Sequence, residues 1–545
     1  MSEFSEALDR WRRERDAFRW SVPDPFNFGR DVVDRFAADP ARPALLWRDA
    51  EGRERRLGFG DVRAGSNRAA HLLASLGVRA GEPVLVMLPR IPEWQLVLVG
   101  ALKAGALVIP SSTTLRPKDI VYRVGHSGAV AIVTTAEQAR VVDAVRSELT
   151  SVRHFLALPE EGARKTPSAW QDLGAELAAQ PVTDPPASPT RASDPALVYY
   201  TSGTTGPPKA VLHAHAYTYA QRYTALHWLG LRGGDRLWTT SDTGWAKAAY
   251  SVLFGPWSVG AEVFLYHGRF EPQTELRLLE SIGPQVFCAP PTEFRLLVKE
   301  DLRAFRFERL REVVSAGEPL NPEVIRAWHE ATGTTIRDGF GQTETILLIG
   351  NFPGMPVRPG SMGLPMPGHR VDVIGEEGHP LPPGEVGDVA LAGDPPSLFR
   401  GYWKDERASA ACRRGEWYVT GDRAYRDADG FFWFVGRADD VIISAGYRIG
   451  PFEVESALVE HPDVLEAAAV AAPDPVRGAI VKAFVVLRPG VARSAELMRG
   501  LQEHVKAVTA PYKYPRAIEF VDALPKTVSG KIRRVELREA EEKRR

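Results

Sequence analysis

The chain has 545 residues, with 68 Lys+Arg against 69 Asp+Glu, 44% hydrophobic and 25% charged, so its length predicts about 3.6 domain-sized units of ordinary globular composition. A formal net charge of −1 provides no global field to draw in nucleic acid or an anionic membrane, and the short basic runs at 10–15 and 541–545 do not change that. Cys288 and Cys412 are the only cysteines, too few and too far apart for a disulfide scaffold or a structural zinc site, which suits a reducing compartment and predicts a cytoplasmic protein.

The N-terminus is rich in charge from Arg10 to Asp16 and lacks the apolar stretch of a signal peptide. No membrane span is expected, because the best apolar run, Leu96 to Ile109, is broken by Lys103. Short β-branched strands then alternate with amphipathic helices: Val84 to Leu88, a helix opened by Pro92, Ala106 to Ile109, a helix around Asp119, and Val130 to Thr134. This rhythm predicts a parallel sheet covered by helices. It pauses in the Pro/Ala/Ser/Thr-rich stretch Pro159 to Pro195 and resumes at Leu197 to Tyr200, Leu237 to Thr239, Val263 to Leu265, Val286 to Cys288 and Val313 to Ser315, predicting a second α/β half. From Val371 short strands between Gly/Pro turns predict a small β-rich unit. Beyond Asp440 the α/β alternation returns for about a hundred residues, the size of a small C-terminal domain.

The segment Tyr200 to Lys209, with Thr201, Ser202, Gly203, Thr204, Thr205 and Gly206, follows a buried-looking strand. Small residues let backbone N–H groups approach an anion, while hydroxyls and Lys209 add donors, so the segment reads as a phosphate-gripping loop. It is not a Walker A loop, because Pro207 and Pro208 separate Gly206 from Lys209.

This string resembles the signature loop of the adenylate-forming superfamily of acyl-CoA synthetases, luciferases and peptide-synthetase adenylation domains. The rest of that family's series follows in order: 317–320, 339–344, 420–422, 436–440, 445–450 and 525–531. The resemblance covers essentially the whole chain, and the segments 473–478 and 509–515 look most like the medium-chain acyl-CoA synthetase branch. It implies an α/β protein: a large N-terminal domain, residues 1–438, of two doubly wound α/β subdomains plus a small β-barrel-like subdomain. A small mobile α/β C-terminal domain, residues 439–545, would turn on a hinge at 439–440. The implied activity is an acid:CoA ligase of the AMP-forming type, using ATP, Mg2+ and CoA on a medium-chain fatty or aromatic acid. The alternatives are an adenylating enzyme that loads a carrier protein, a catalytically silent nucleotide-binding protein, and a luciferase-like second step. The oligomeric state is open, with a homodimer among the choices.

The family's roles carry over residue by residue. Asp422, a short carboxylate in a turn, resembles the ribose acceptor, and Arg437 its second ribose-side contact. Glu344, helped by Thr204, resembles the Mg2+ ligand, a hard oxygen suited to an ion that also binds phosphates. Gly317, Glu318 and Pro319 resemble the adenine-side segment, and Asp338, Gly339, Phe340, Gly341, Gln342 and Thr343 continue the nucleotide site. Lys531 resembles the lysine that reaches from the C-terminal domain to the substrate carboxylate and α-phosphate, a task suited to a compact ammonium. Asp439 matches the hinge; Ala445, Gly446 and Tyr447 would admit the pantetheine arm, and Arg477 and Lys513 would meet CoA phosphates. At the acyl pocket Trp245 resembles a lining aromatic. Gly341 stands where acetyl-CoA synthetases carry Trp, which implies an opened pocket, whereas Ile346 replaces the usual Gly and opposes it.

Overall fold

The computed structural model describes residues 3–159, 167, 169–186, 189–201, 207–444, 447–474, 477–526 and 531–544. Two large sheets dominate. The first has eight strands, in spatial order Gly401–Tyr402, Lys209–Ala214, Pro195–Thr201, Leu107–Pro110, Pro83–Met87, Ala131–Thr135, His154–Leu158 and Gln171–Asp172. Its core pairings are parallel, as expected of strands joined by helices such as Pro92–Lys103 and Pro117–Ser127, and both faces are buried. Pro92 opens its helix at the first turn, where a missing N–H costs nothing. The Pro-rich stretch after Pro159 is not a plain pause. It supplies the edge strand Gln171–Asp172 and the helix Leu173–Ala178, capped by Asp172.

The expected second half is corrected in its membership. The strand Pro195–Thr201, which leads into the phosphate-loop segment, pairs with Lys209–Ala214 and belongs to the first sheet. The second sheet borrows Pro43–Asp49 and Glu54–Gly58 from near the N-terminus, the former running parallel to Glu262–His267. From there the order runs through Arg236–Thr239, Val286–Ala289, Glu312–Ala316 and Ile336–Gln342 and reverses direction at Ile346–Gly350. It continues through Ser361–Pro365, Phe432–Arg437, Trp417–Arg426, Gly387–Ala392 and Arg370–Ile374, so the β-rich unit is hydrogen-bonded to the edge of this sheet. Antiparallel strands joined by tight turns need no crossover helix, which is why helical periodicity fades after Val371.

A separate apolar core spans Ile442 to Leu537, built on the helices Pro451–Glu460 and Ala495–Val508 and on the sheet of Val464–Asp474, Gly478–Leu487 and Ala517–Phe520. We call this unit the C-terminal lobe. Among the described residues, no helix is long and apolar enough to cross a membrane.

Candidate active site

The C-terminal ends of the strands in both large sheets, the β-rich unit and the C-terminal lobe open onto one cleft of about 1370 Å3. In open α/β sheets this end collects ligands, because the connections diverge there. Three strands set the nucleotide-side residues. Ile336–Gln342 brings Asp338 to Gln342 in succession; Trp417–Arg426 carries Asp422; and Phe432–Arg437 ends at Arg437, directly opposite Asp422 in the antiparallel register.

Asp422 is only 5% exposed and accepts from the Gln342 amide, whose own oxygen takes the Tyr418 hydroxyl at 2.9 Å. Burial pushes its carboxyl up to about 6, although Arg437, Gln342 and Lys531 favour the ionised form. Arg437 lies 3.6 Å from Asp422 and 3.7 Å from Asp439. Burial alone would lower its pKa, but those carboxylates together with Asp440 raise it instead. Asp338 is buried and accepts from the Gly339 N–H at 2.9 Å, and burial raises its pKa to about 8.

Glu344 sits in the turn after Gln342. Its carboxylate accepts the Tyr402 hydroxyl at 2.9 Å, and its carbonyl takes the Phe399 N–H at 2.8 Å. Burial raises its pKa, opposed by Tyr402 and Lys209. The Lys209 ammonium stands 4.7 Å from the centre of the Tyr402 ring, a cation–π contact on the side of the cleft where Thr201 ends its strand. The carbonyl of Thr343 accepts from His213 Nε2 at 2.7 Å. Burial pushes His213 down to about 3, so the ring is neutral, and a carbonyl partner requires the proton on Nε2.

Gly317 has φ +108°, a backbone that a side chain would strain, and Glu318 beside it accepts from Thr292 at 2.8 and 2.9 Å and from Arg295 at 3.2 Å. Lys531 reaches the same cleft from the C-terminal lobe, near enough to Asp422 to favour its ionised form. Of the residues singled out from the sequence, Thr201, Lys209, Trp245, Gly317, Glu318, Pro319, Asp338, Gly339, Phe340, Gly341, Gln342, Thr343, Glu344, Ile346, Asp422, Arg437, Asp439 and Lys531 therefore share one cleft. Ser202, Gly203, Thr204, Thr205, Gly206, Ala445 and Gly446 lie outside the described residues. Tyr447, Arg477 and Lys513 are not brought to the cleft. Tyr447 is 53% exposed and stacks on Tyr512 at 4.4 Å, the Arg477 N–H caps onto Asp474, and Lys513 is ion-paired with Glu453.

The expectation at Gly341 needs correction. A Cβ there would lie 2.0 Å from the carbonyl oxygen of Ile346, because the strand Ile346–Gly350 folds back on it through a bulge. Backbone, not open pocket, occupies the side-chain direction, so the missing indole is not what sets the cavity. Ile346 itself has φ +61°, a left-handed backbone that a β-branched residue adopts at a cost of about 1–3 kcal/mol. It is 3% exposed and lines the cleft with Trp245, Tyr199, Tyr217 and Tyr250. These three tyrosines, Tyr402 and Tyr418 went unrecognised in the sequence, because a core aromatic and a site aromatic have the same local pattern.

Among the described residues, no group of three or more His, Cys, Asp or Glu is placed to hold a metal. A lone cleft carboxylate such as Glu344 fits an ion that takes most of its oxygens from substrate phosphates, as Mg2+ does.

A buried carboxylate, a glycine-bearing segment and a lysine of the C-terminal lobe line one cleft, and sequence comparison gives the family. The AMP-binding enzyme model matches residues 33–403, and the AMP-binding enzyme C-terminal domain matches 453–531. The chain belongs to the AMP-binding enzyme family. It is 44% identical over 538 residues to the mitochondrial acyl-coenzyme A synthetase ACSM3 of Mus musculus, covering 96% of this chain and 92% of that protein. Among solved structures, it resembles the anthranilate CoA ligase AuaEII in complex with anthranoyl-AMP, with TM-score 0.88 and 32% identity over 95% of this chain and 98% of that one. It also resembles a benzoate CoA ligase from Burkholderia xenovorans LB400, with TM-score 0.83 and 31% identity over 94% and 100% of the two chains.

Proposed function

We propose that the chain is an AMP-forming acid:CoA ligase. It joins a medium-chain fatty or aromatic acid to ATP as an acyl-adenylate, releasing pyrophosphate, and passes the acyl group to CoA, releasing AMP. The observation that carries this reading is the meeting of Asp422, Arg437 and Glu344 with Lys531 in one cleft. The named relatives, acyl-coenzyme A synthetase and the anthranilate and benzoate CoA ligases, support both the reaction and the aromatic branch of the substrate class.

The chemistry follows from charge. A carboxylic acid is ionised at neutral pH, so it needs no base; the barrier is the approach of one anion to another. Asp422 and Arg437 take the ribose, Gly317–Pro319 and Asp338–Thr343 flank the base, and Thr201–Gly206 with Lys209 grip the phosphates. Glu344, with Thr204, would hold Mg2+, which would neutralise phosphate charge. Lys531 then donates to the substrate carboxylate and the α-phosphate together, where negative charge accumulates as the bond forms. Trp245, Ile346 and the backbone at Gly341 wall the acyl end. Thioester formation needs a different face, so the unit 439–545 turns on Asp439 relative to 1–438, withdrawing Lys531 and presenting Ala445, Gly446 and Tyr447 with Arg477 and Lys513 to CoA. That Tyr447, Arg477 and Lys513 stand off the cleft while Lys531 lines it supports a need for such a turn. The two free cysteines support a reducing, cytoplasmic setting.

The test is AMP formation across a panel of acids, from acetate through octanoate to benzoate and anthranilate, with and without CoA. CoA-dependent AMP release on medium-chain or aromatic acids is expected. Ile346→Gly removes a buried side chain at the cavity wall and should raise kcat/KM for the longest acids about tenfold relative to acetate. If no acid supports AMP release the reading fails; if Ile346→Gly leaves the size profile unchanged, Ile346 does not limit the pocket.

A further inference from the structure

Asn321 opens the helix Pro322–Thr332 with an extended backbone, φ −68° and ψ 133°, the position at which an Asn side chain ordinarily accepts an N–H from the first turn of its own helix. Here it makes no such cap. Its amide instead donates to the Ser456 hydroxyl of the C-terminal lobe at 3.0 Å, and Asn321 is only 6% exposed.

Both ends of this hydrogen bond adjoin the cleft. On the large-domain side, Asn321 directly follows Gly317–Leu320, whose Glu318 is fixed by Thr292 and Arg295. On the other side, Ser456 adjoins Glu455 on the helix Pro451–Glu460, and Glu455 receives Arg534 in two parallel bonds of 2.9 and 2.6 Å. Arg534 begins the helix Arg534–Lys543 just after Lys531; Lys526 bridges Ile532, and the Arg533 N–H donates to the Pro525 carbonyl at 2.8 Å. Helix α-turns and bidentate pairs transmit position with little slack. The Asn321–Ser456 bond thus joins the segment 317–320 to the helix that Arg534 grips, three residues beyond Lys531.

We propose that Asn321 is a two-position positioning residue. Bonded to Ser456 it latches the C-terminal lobe with Lys531 in the cleft; when the lobe turns away, the same side chain caps its own helix, so breaking the latch costs little. This rests on the acid-adenylation reading and on the hinge at Asp439, and it adds a residue outside the signature motifs that biases the lobe equilibrium.

The test separates the two half-reactions in the full chain: acid-dependent exchange of pyrophosphate into ATP, and thioester formation from supplied acyl-adenylate and CoA. Ser456→Ala should lower the exchange rate about fivefold, on the scale of one net hydrogen bond; Asn321→Ala, which removes the latch and the alternative cap together, should lower it less, and the double variant should lose no more than Ser456→Ala alone. Ser456→Ala should leave thioester formation at or above the parent rate, and Ser456→Thr, which keeps the hydroxyl, should restore exchange. Equal losses in both half-reactions, additive losses in the double variant, or no loss in Ser456→Ala would overturn the latch. A parent enzyme that shows no acid-dependent exchange would instead remove the adenylation reading, and the latch with it.

Discussion

At Asp422 two demands conflict. Burial favours the protonated acid, with a pKa of about 6, whereas the proposed acceptance from two ribose hydroxyls favours the carboxylate. A carboxyl raised this way is mostly protonated below pH 6 and ionised above it. The KM for ATP should accordingly fall as pH rises through about 6, and Asp422→Asn should raise it about tenfold and flatten that limb, read from steady-state kinetics between pH 5 and 8. A parent profile that is flat across this interval would remove the ribose assignment. The place of Asp422 in the cleft was legible because its neighbours form an ordered motif. Tyr402, which donates to Glu344, was not, since that contact joins residues 58 apart through the pairing of Gly401–Tyr402 with Lys209–Ala214. The odd Ile346 was visible in the sequence, but its left-handed backbone was not.

Among the elements, the helix Pro272–Ile282 buries Glu275 and the helix Pro291–Leu297 half-buries Glu293, whose carboxyls are raised to about 8 and about 7 by desolvation, with repulsion from Glu293 adding to the shift in Glu275. Both folded-state values lie above the usual 4.5, so the fold retains protons that the unfolded chain releases. Their contribution is fully present below about pH 4.5 and is lost as pH rises through 7 to 8. The thermal midpoint should fall by about two degrees between pH 6.5 and 8.5, and Glu275→Gln, neutral throughout, should abolish most of that fall. A midpoint that rises over this range would contradict the burial of two protonated acids. The strands themselves were readable, because a sheet buried on both faces needs continuous β-branched runs such as Val84 to Leu88. Sheet membership was not. Pairing of Pro43–Asp49 with Glu262–His267 joins distant parts of the chain, and nothing local encodes it.

For the whole molecule, the lobes meet around Lys531 and at the junction, where Arg437 pairs with Asp439 and Arg534 and Arg538 hold Asp440. Lys531 lines the cleft, whereas Tyr447, Arg477 and Lys513, proposed to meet CoA, do not. The proposed reaction therefore requires the C-terminal lobe to act twice, in two positions. Lys531→Ala tests this most directly, measured as pyrophosphate exchange and, separately, as thioester formation from supplied acyl-adenylate. Exchange should fall about 100-fold or more while thioester formation stays within about threefold of the parent; equal loss in both, or none in exchange, would contradict the delivery of this cation by a moving lobe.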